Sequence, residues 1–172
     1  MKKKEDHLPV YGPGPLFGGI LSVLTVSAYL MRKAAFFSAG YLDGPWRTVF
    51  AAAGIICILS GAALWIYAVP VSGIDDGIMN NHLVTTGAYA LVRNPIYSAI
   101  MIACTGVLLT AGNLYFLALP FVYWILLTIL VKNTEETWLR ELYGREYEDY
   151  CRRVNRCWPW MPRKIKRIYK AD

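Results

Sequence analysis

The chain has 172 residues, of which 56% are hydrophobic and 14% aromatic, with only 17% charged and a mean hydropathy of +0.34. That is too apolar for an ordinary soluble domain of this length and reads as one small integral membrane domain over residues 1–172. The net charge of +6 gathers near the two termini, where it suits lipid headgroups and topology rather than nucleic acid.

Met1-Lys2-Lys3-Lys4 has the charge of a secretory leader. Pro9, Gly12, Pro13, Gly14 and Pro15 interrupt the approach to the apolar run, so the first segment is expected to stay in the protein. Four apolar segments follow, at about 16–31, 49–69, 96–111 and 114–131. At the rise of an α-helix, the shorter ones span roughly 24 to 27 Å, enough to cross a bilayer when their ends snorkel. Gly112 and Asn113 leave almost no room between the last two, which predicts a tight antiparallel hairpin with Pro120 bending its second arm. The expected fold is therefore all-α with about four transmembrane helices.

Basic residues outside these spans are Lys2, Lys3 and Lys4, then Arg32, Lys33 and Arg47, then Arg93, then eleven after Val131. An even number of spans puts both termini on one side, and the positive-inside rule makes that side cytoplasmic. Arg32 and Lys33 fit this count less well. The four cysteines lack metal or disulfide spacing: Cys57 and Cys104 lie in apolar runs, and Cys151 and Cys157 stand apart in a basic tail. No metal site is expected.

The tail over 133–172 is expected to be an amphipathic cytoplasmic cover. Trp138, Leu139, Leu142, Tyr143, Tyr147, Tyr150 and Val154 recur at helical spacing among charged residues, and Gly144 divides the helix in two. Trp158, Trp160 and Tyr169 among basic residues suit a segment at headgroup level.

Polar residues crowd the borders of the apolar region at Asn81 to Tyr97 and at Glu135-Glu136, where a membrane protein rarely places them without a use. Local readings exist for several. Asn94 suits the N-cap of a helix opening at Pro95, Arg93 suits snorkelling to phosphate, and Asn133 with Glu136 approximates a capping box. Glu135, one turn beyond an apolar span, has no such simple reading.

The ordered set Leu83-Val84-Thr85-x-Gly87-x-Tyr89, Arg93-x-Pro95-x-Tyr97, an apolar hairpin, Glu135-Glu136 and Tyr143-Gly144-x-x-Tyr147-x-x-Tyr150-x-x-x-Val154-x-Arg156 resembles the isoprenylcysteine carboxyl methyltransferase and phospholipid methyltransferase superfamily. The resemblance covers roughly residues 74–162. It implies a membrane methyltransferase that moves a methyl group from S-adenosylmethionine to a lipophilic substrate, a phospholipid amine or a prenylcysteine-like carboxylate. It also implies cofactor contacts at Asn81, His82, Leu83, Val84, Tyr89, Asn94, Pro95, Ile96, Tyr97 and Glu135. Arg93, Glu135 and Glu136 are the candidates for catalytic duty.

Two positions depart from the family pattern. Asn94 stands where the family has histidine, and an amide cannot titrate. Val131 stands where prenylcysteine enzymes have a basic residue for the substrate carboxylate, while Lys132 points about 100° away on a helix, so a lipid amine or another small apolar nucleophile gains. Two other readings of the chain are a sterol-type membrane reductase using a nicotinamide cofactor, and a non-enzymatic four-helix membrane scaffold. The reductase pattern has Arg-Asp-Glu where this chain has Thr134-Glu135-Glu136.

Overall fold

A computed structural model describes residues 14–72, 77 and 82–161. Among them the only regular elements are helices: α1 (Gly14–Met31), α2 (Gly44–Ile66), α3 (Ala88–Leu91), α4 (Pro95–Ala111), α5 (Leu119–Asn133), α6 (Glu135–Tyr143) and α7 (Arg145–Arg153). Three helical stretches, Gly14–Met31, Gly44–Val71 and Leu114–Tyr143, are long and apolar enough to cross a membrane, and Pro95–Ala111 is a shorter apolar helix. The apolar part of the last stretch stops at Val131, so α6 lies beyond the spans. The chain is an all-α integral membrane protein, as its composition implied.

α4 is the hub of the bundle, buried on most of its surface and packed against α1 and α2. The α2 contact is made by small residues because only they let two backbones meet in lipid, where close packing replaces the hydrophobic drive. A Cβ on Gly54 would stand 2.6 Å from the carbonyl oxygen of Gly106, and one on Gly61 would stand 2.7 Å from that of Ala99. α1 buries a single stripe, Phe17, Leu21, Thr25 and Ala28, at intervals of about one turn. Within that stripe the Thr25 hydroxyl meets the Tyr123 hydroxyl of α5 at 2.9 Å.

Pro70 lies in the widened π turn Tyr67–Val71 that prolongs α2. At the far end of the bundle, Gly112 takes the left-handed conformation (φ 66°, ψ 43°) that closes α4. Asn113 turns the corner, with its amide accepting from Tyr115 N–H at 3.1 Å and donating to the Phe37 carbonyl at 2.8 Å. The tight turn therefore forms, and the second arm begins in two parts. Leu114–Ala118 is a 3-10 turn, and Pro120 stands in the first turn of α5, where its missing N–H is no loss. Arg47 also works at this end, donating to the Thr110 carbonyl at 2.5 Å.

The tail divides at Gly144 (φ 53°), as its sequence suggests. The expected Asn133 capping box is not made. Asn133 is the last residue of α5, and Thr134 alone separates it from α6, with its hydroxyl donating back to the Leu130 carbonyl at 2.7 Å rather than capping α6. With no loop between the two helices, Asn133 is not free to cap.

Candidate functional site

Glu135 and Glu136 open α6, and about 100° of helical rotation sends them to different partners. Glu136 is wholly buried and ringed by guanidinium groups. Arg156 grips it with two bonds, Nε to Oε1 at 2.6 Å and Nη2 to Oε2 at 3.0 Å. Arg93 Nη2 lies 3.1 Å from Oε1, and Arg140 Nη2 lies 3.6 Å from Oε2. Burial pushes the Glu136 carboxyl up, but the Arg156 bonds and the charges of Arg93, Arg156 and Arg140 outweigh it and hold the group below the usual carboxylate range.

Glu135, half-buried, accepts instead from the Tyr97 hydroxyl of α4. Burial raises its proton affinity, and the Tyr97 bond offsets that only in part. The pair joins the start of α4 to the start of α6, two regions 38 residues apart in the chain. Tyr97 is itself framed by α1, with the Phe17 ring edge-on at 5.7 Å between centroids. Gly14 leaves room for it, since a Cβ there would stand 2.9 Å from the ring. The first helix, which carries no recognisable signature, therefore forms one wall of this end.

The segment before α4 is held by the C-terminal tail. Arg93 N–H donates to the Asn155 carbonyl at 2.8 Å, Asn94 Nδ2 to the Arg156 carbonyl at 2.9 Å and Ser98 Oγ to the Cys157 carbonyl at 2.7 Å. Trp160 N–H returns to the Leu91 carbonyl at 3.0 Å. Residues 155–160 are thus an irregular strap, bent at 156–158, laid along residues 91–98. Asn94 does occupy the cap position before Pro95, yet its side chain bonds the strap rather than the helix, because the strap carbonyl is within reach. Arg93, a candidate for catalytic duty for which snorkelling was the local alternative, is turned inward to Glu136 and to Cys151 Sγ, and its side chain is 8% exposed.

The remaining candidates surround the same end. Leu83 packs with Tyr147, Tyr150 and Val154 of the tail. The Tyr150 hydroxyl donates to the Tyr89 carbonyl at 2.6 Å, and burial keeps that phenol protonated well above its ordinary value. Tyr89 and Pro95 are buried, Val84 and Ile96 half-buried, and His82 exposed. Gly87 (φ 60°) brings the chain against Ser72, whose Oγ would stand 2.6 Å from any Cβ there. Asn81 lies outside the described residues. Val131 is buried in the core and Lys132 is exposed, so neither offers a cation at the position where a carboxylate-binding residue was sought. Among the described residues no His, Cys, Asp or Glu group has the arrangement of a metal site.

Arg156, Ser98, Phe17 and Cys157 escaped the sequence reading as contributors. Arg156 closed the tail pattern and could have been paired with a glutamate by charge. Ser98, Phe17 and Cys157 carry no linear signal, since their partners are set only by packing.

Residues 47–146, more than half of the chain, match the family model for phospholipid methyltransferases. Two rice proteins, each named a probable protein-S-isoprenylcysteine O-methyltransferase, from Oryza sativa subsp. indica and subsp. japonica, are 35% identical to this chain over 80 residues. That stretch is 46% of this chain and 41% of each relative, so the chain spans well under half of the length of the curated relatives it matches. No solved structure matches it.

Proposed function

The chain belongs to the phospholipid methyltransferase family, and from that premise we propose that it moves the methyl group of S-adenosylmethionine to a lipophilic substrate at the end of the bundle where Tyr97 meets Glu135. The observation that carries this reading is that pair. A half-buried carboxylate with one hydrogen bond stands at the border of the apolar region, beside aromatic residues.

The donor set fits such a cofactor. Glu135 is the acceptor for its ammonium or ribose hydroxyls, and Tyr97 and Tyr89 supply aromatic surface suited to a cation. Leu83, Val84, Pro95 and Ile96 supply apolar lining, with His82 exposed just before them. S-adenosylmethionine, when bound, supplies a methyl already activated on a sulfonium, so the protein has mainly to align donor and acceptor and to exclude water. The strap and α7, laid over residues 82–98, serve that exclusion. Arg93 and Glu136 act by positioning. With both Glu136 oxygens taken by guanidiniums, it is a poor proton acceptor but a firm anchor for the first turn of α6, and so for Glu135.

The acceptor is a lipid amine on this reading, because Val131 and Lys132 leave a carboxylate without its expected cation. The amine must lose a proton before it attacks. Glu136 is the least suited group to take it, and His82, exposed on the loop, keeps an imidazole open to solvent. A prenylcysteine carboxylate is the second reading, favoured by the likeness to the rice proteins. Both donor and acceptor are tested by incubating membranes carrying the full chain with isotopically labelled S-adenosylmethionine, followed by mass spectrometry of the lipid extract. Label in a phosphatidylethanolamine derivative supports the amine, and label in a prenylcysteine ester supports the carboxylate. Transfer of hydride from a nicotinamide cofactor, with no labelled product, overturns both.

A further inference from the structure

The strap does not simply lie on the site; it lies at the depth of the membrane border. The Cys157 carbonyl accepts from Ser98, one turn inside the apolar helix α4, and Cys157 Sγ is 3.9 Å from Thr128 Oγ1, one turn before the apolar stretch of α5 ends at Val131. Cys157 itself is 3% exposed, whereas the residues that follow it turn outward: Trp158 is 52%, Trp160 67% and Met161 83% exposed. Just before them, Arg152 and Arg153 at the end of α7 are exposed as well. Water is a poor environment for two indoles and a thioether, and Ser98 and Thr128, which hold Cys157, both lie within a turn of the ends of apolar helices. Indole rings with guanidinium groups beside them suit the zone between acyl chains and phosphates.

We propose that Trp158, Trp160 and Met161 are a lipid anchor, inserted at the interfacial level of the leaflet that surrounds this end of the bundle, and that the leaflet thereby holds the strap closed on residues 91–98. The hydrogen bonds explain the coupling. Strap backbone groups on either side of Trp158 bond the Leu91 to Ser98 segment, so freeing the indoles from lipid releases the contacts that fix Arg93, Asn94 and Ser98. The proposal makes the bilayer a partner of the candidate site as well as its solvent. Only its functional consequence, loss of cofactor affinity, rests on the methyl-donor reading above.

The test uses the full chain in liposomes. A variant with Trp46, Trp65, Trp124 and Trp138 replaced by Phe leaves Trp158 and Trp160 as reporters. Their emission is expected to be quenched more by phosphatidylcholine brominated near the headgroup end of its chains than by lipid brominated near the chain ends. Emission indifferent to both lipids overturns the anchor. In a Trp158→Ser/Trp160→Ser variant, maleimide labelling of Cys157, mapped by mass spectrometry, is expected to become several-fold faster while buried Cys104 stays protected. Cys157 labelling unchanged from that of the unsubstituted chain overturns the coupling. If Cys104 is exposed as well, the variant has unfolded, and Trp160→Ser alone replaces it, with Cys157 labelling again expected to be faster and unchanged labelling again overturning the coupling. Quenching and labelling both hold if the chain binds no S-adenosylmethionine, so a failure of the functional reading is distinguishable from a failure of the anchor.

Discussion

Two adjacent glutamates show how position on a helix decides role. Glu135 keeps a carboxylate directed at the Tyr97 end, and Glu136 is consumed by three arginines. Replacing Glu135 with Gln is expected to weaken S-adenosylmethionine binding several-fold, read by calorimetry in nanodiscs; unchanged affinity removes Glu135 from the donor site. Because burial raises the Glu135 proton affinity, donor affinity should climb with pH through a range above the ordinary carboxylate value, and Gln at 135 should flatten that profile. Glu136→Gln leaves converging guanidiniums without their counter-charge and is expected to cost about 3 kcal/mol of stability, measured by thermal unfolding. The sign with pH is the same as that for donor affinity at Glu135, but the property is stability and the range is lower. Glu136 has a depressed value in the folded state, so its contribution is present above the ordinary carboxylate range and fades as pH falls through the lowered value.

Among the elements, the α2–α4 contact decides whether the bundle closes. With a facing carbonyl 2.6 Å from where a Cβ would stand, Gly54→Val is expected to cost roughly 1–3 kcal/mol through forced separation of the helices, seen as a lower melting temperature in detergent. Gly19, with nothing near its Cβ position, is the control whose change to Ala should leave stability intact. Hydropathy marked all four apolar segments, because period and length survive in any one stretch of sequence. It did not mark the 3-10 start of the second hairpin arm or the continuity of α5 with α6. Those depend on Asn113 finding the Phe37 carbonyl and on the absence of any loop at Thr134.

On the scale of the whole molecule, the start of α1, the segment before α4 and the tail meet at one end, while Arg47 and Asn113 lie at the other. That this end faces the cytoplasm is our proposal from the charge count. Protease added to sealed right-side-out vesicles should spare tags at both ends alike. Deleting residues 133–172 is expected to abolish donor binding while leaving membrane insertion intact, since the spans precede the deletion. Retained binding would show that the tail is not part of the proposed donor site.

The amino-acid sequence by itself determined the class of the protein, the apolar segments, the Gly112 and Gly144 breaks and the set of polar residues at the membrane border. These are local properties of composition, period and backbone freedom. Only the tertiary structure decided which of the two glutamates stays available, that Arg156 reaches back to Glu136, that Asn94 serves the strap instead of a helix cap, and that Phe17 and Gly14 of an unmarked helix frame Tyr97. Each of those facts is a contact between residues far apart in the chain, and such contacts exist only once helix packing in the bilayer has brought the segments to one end.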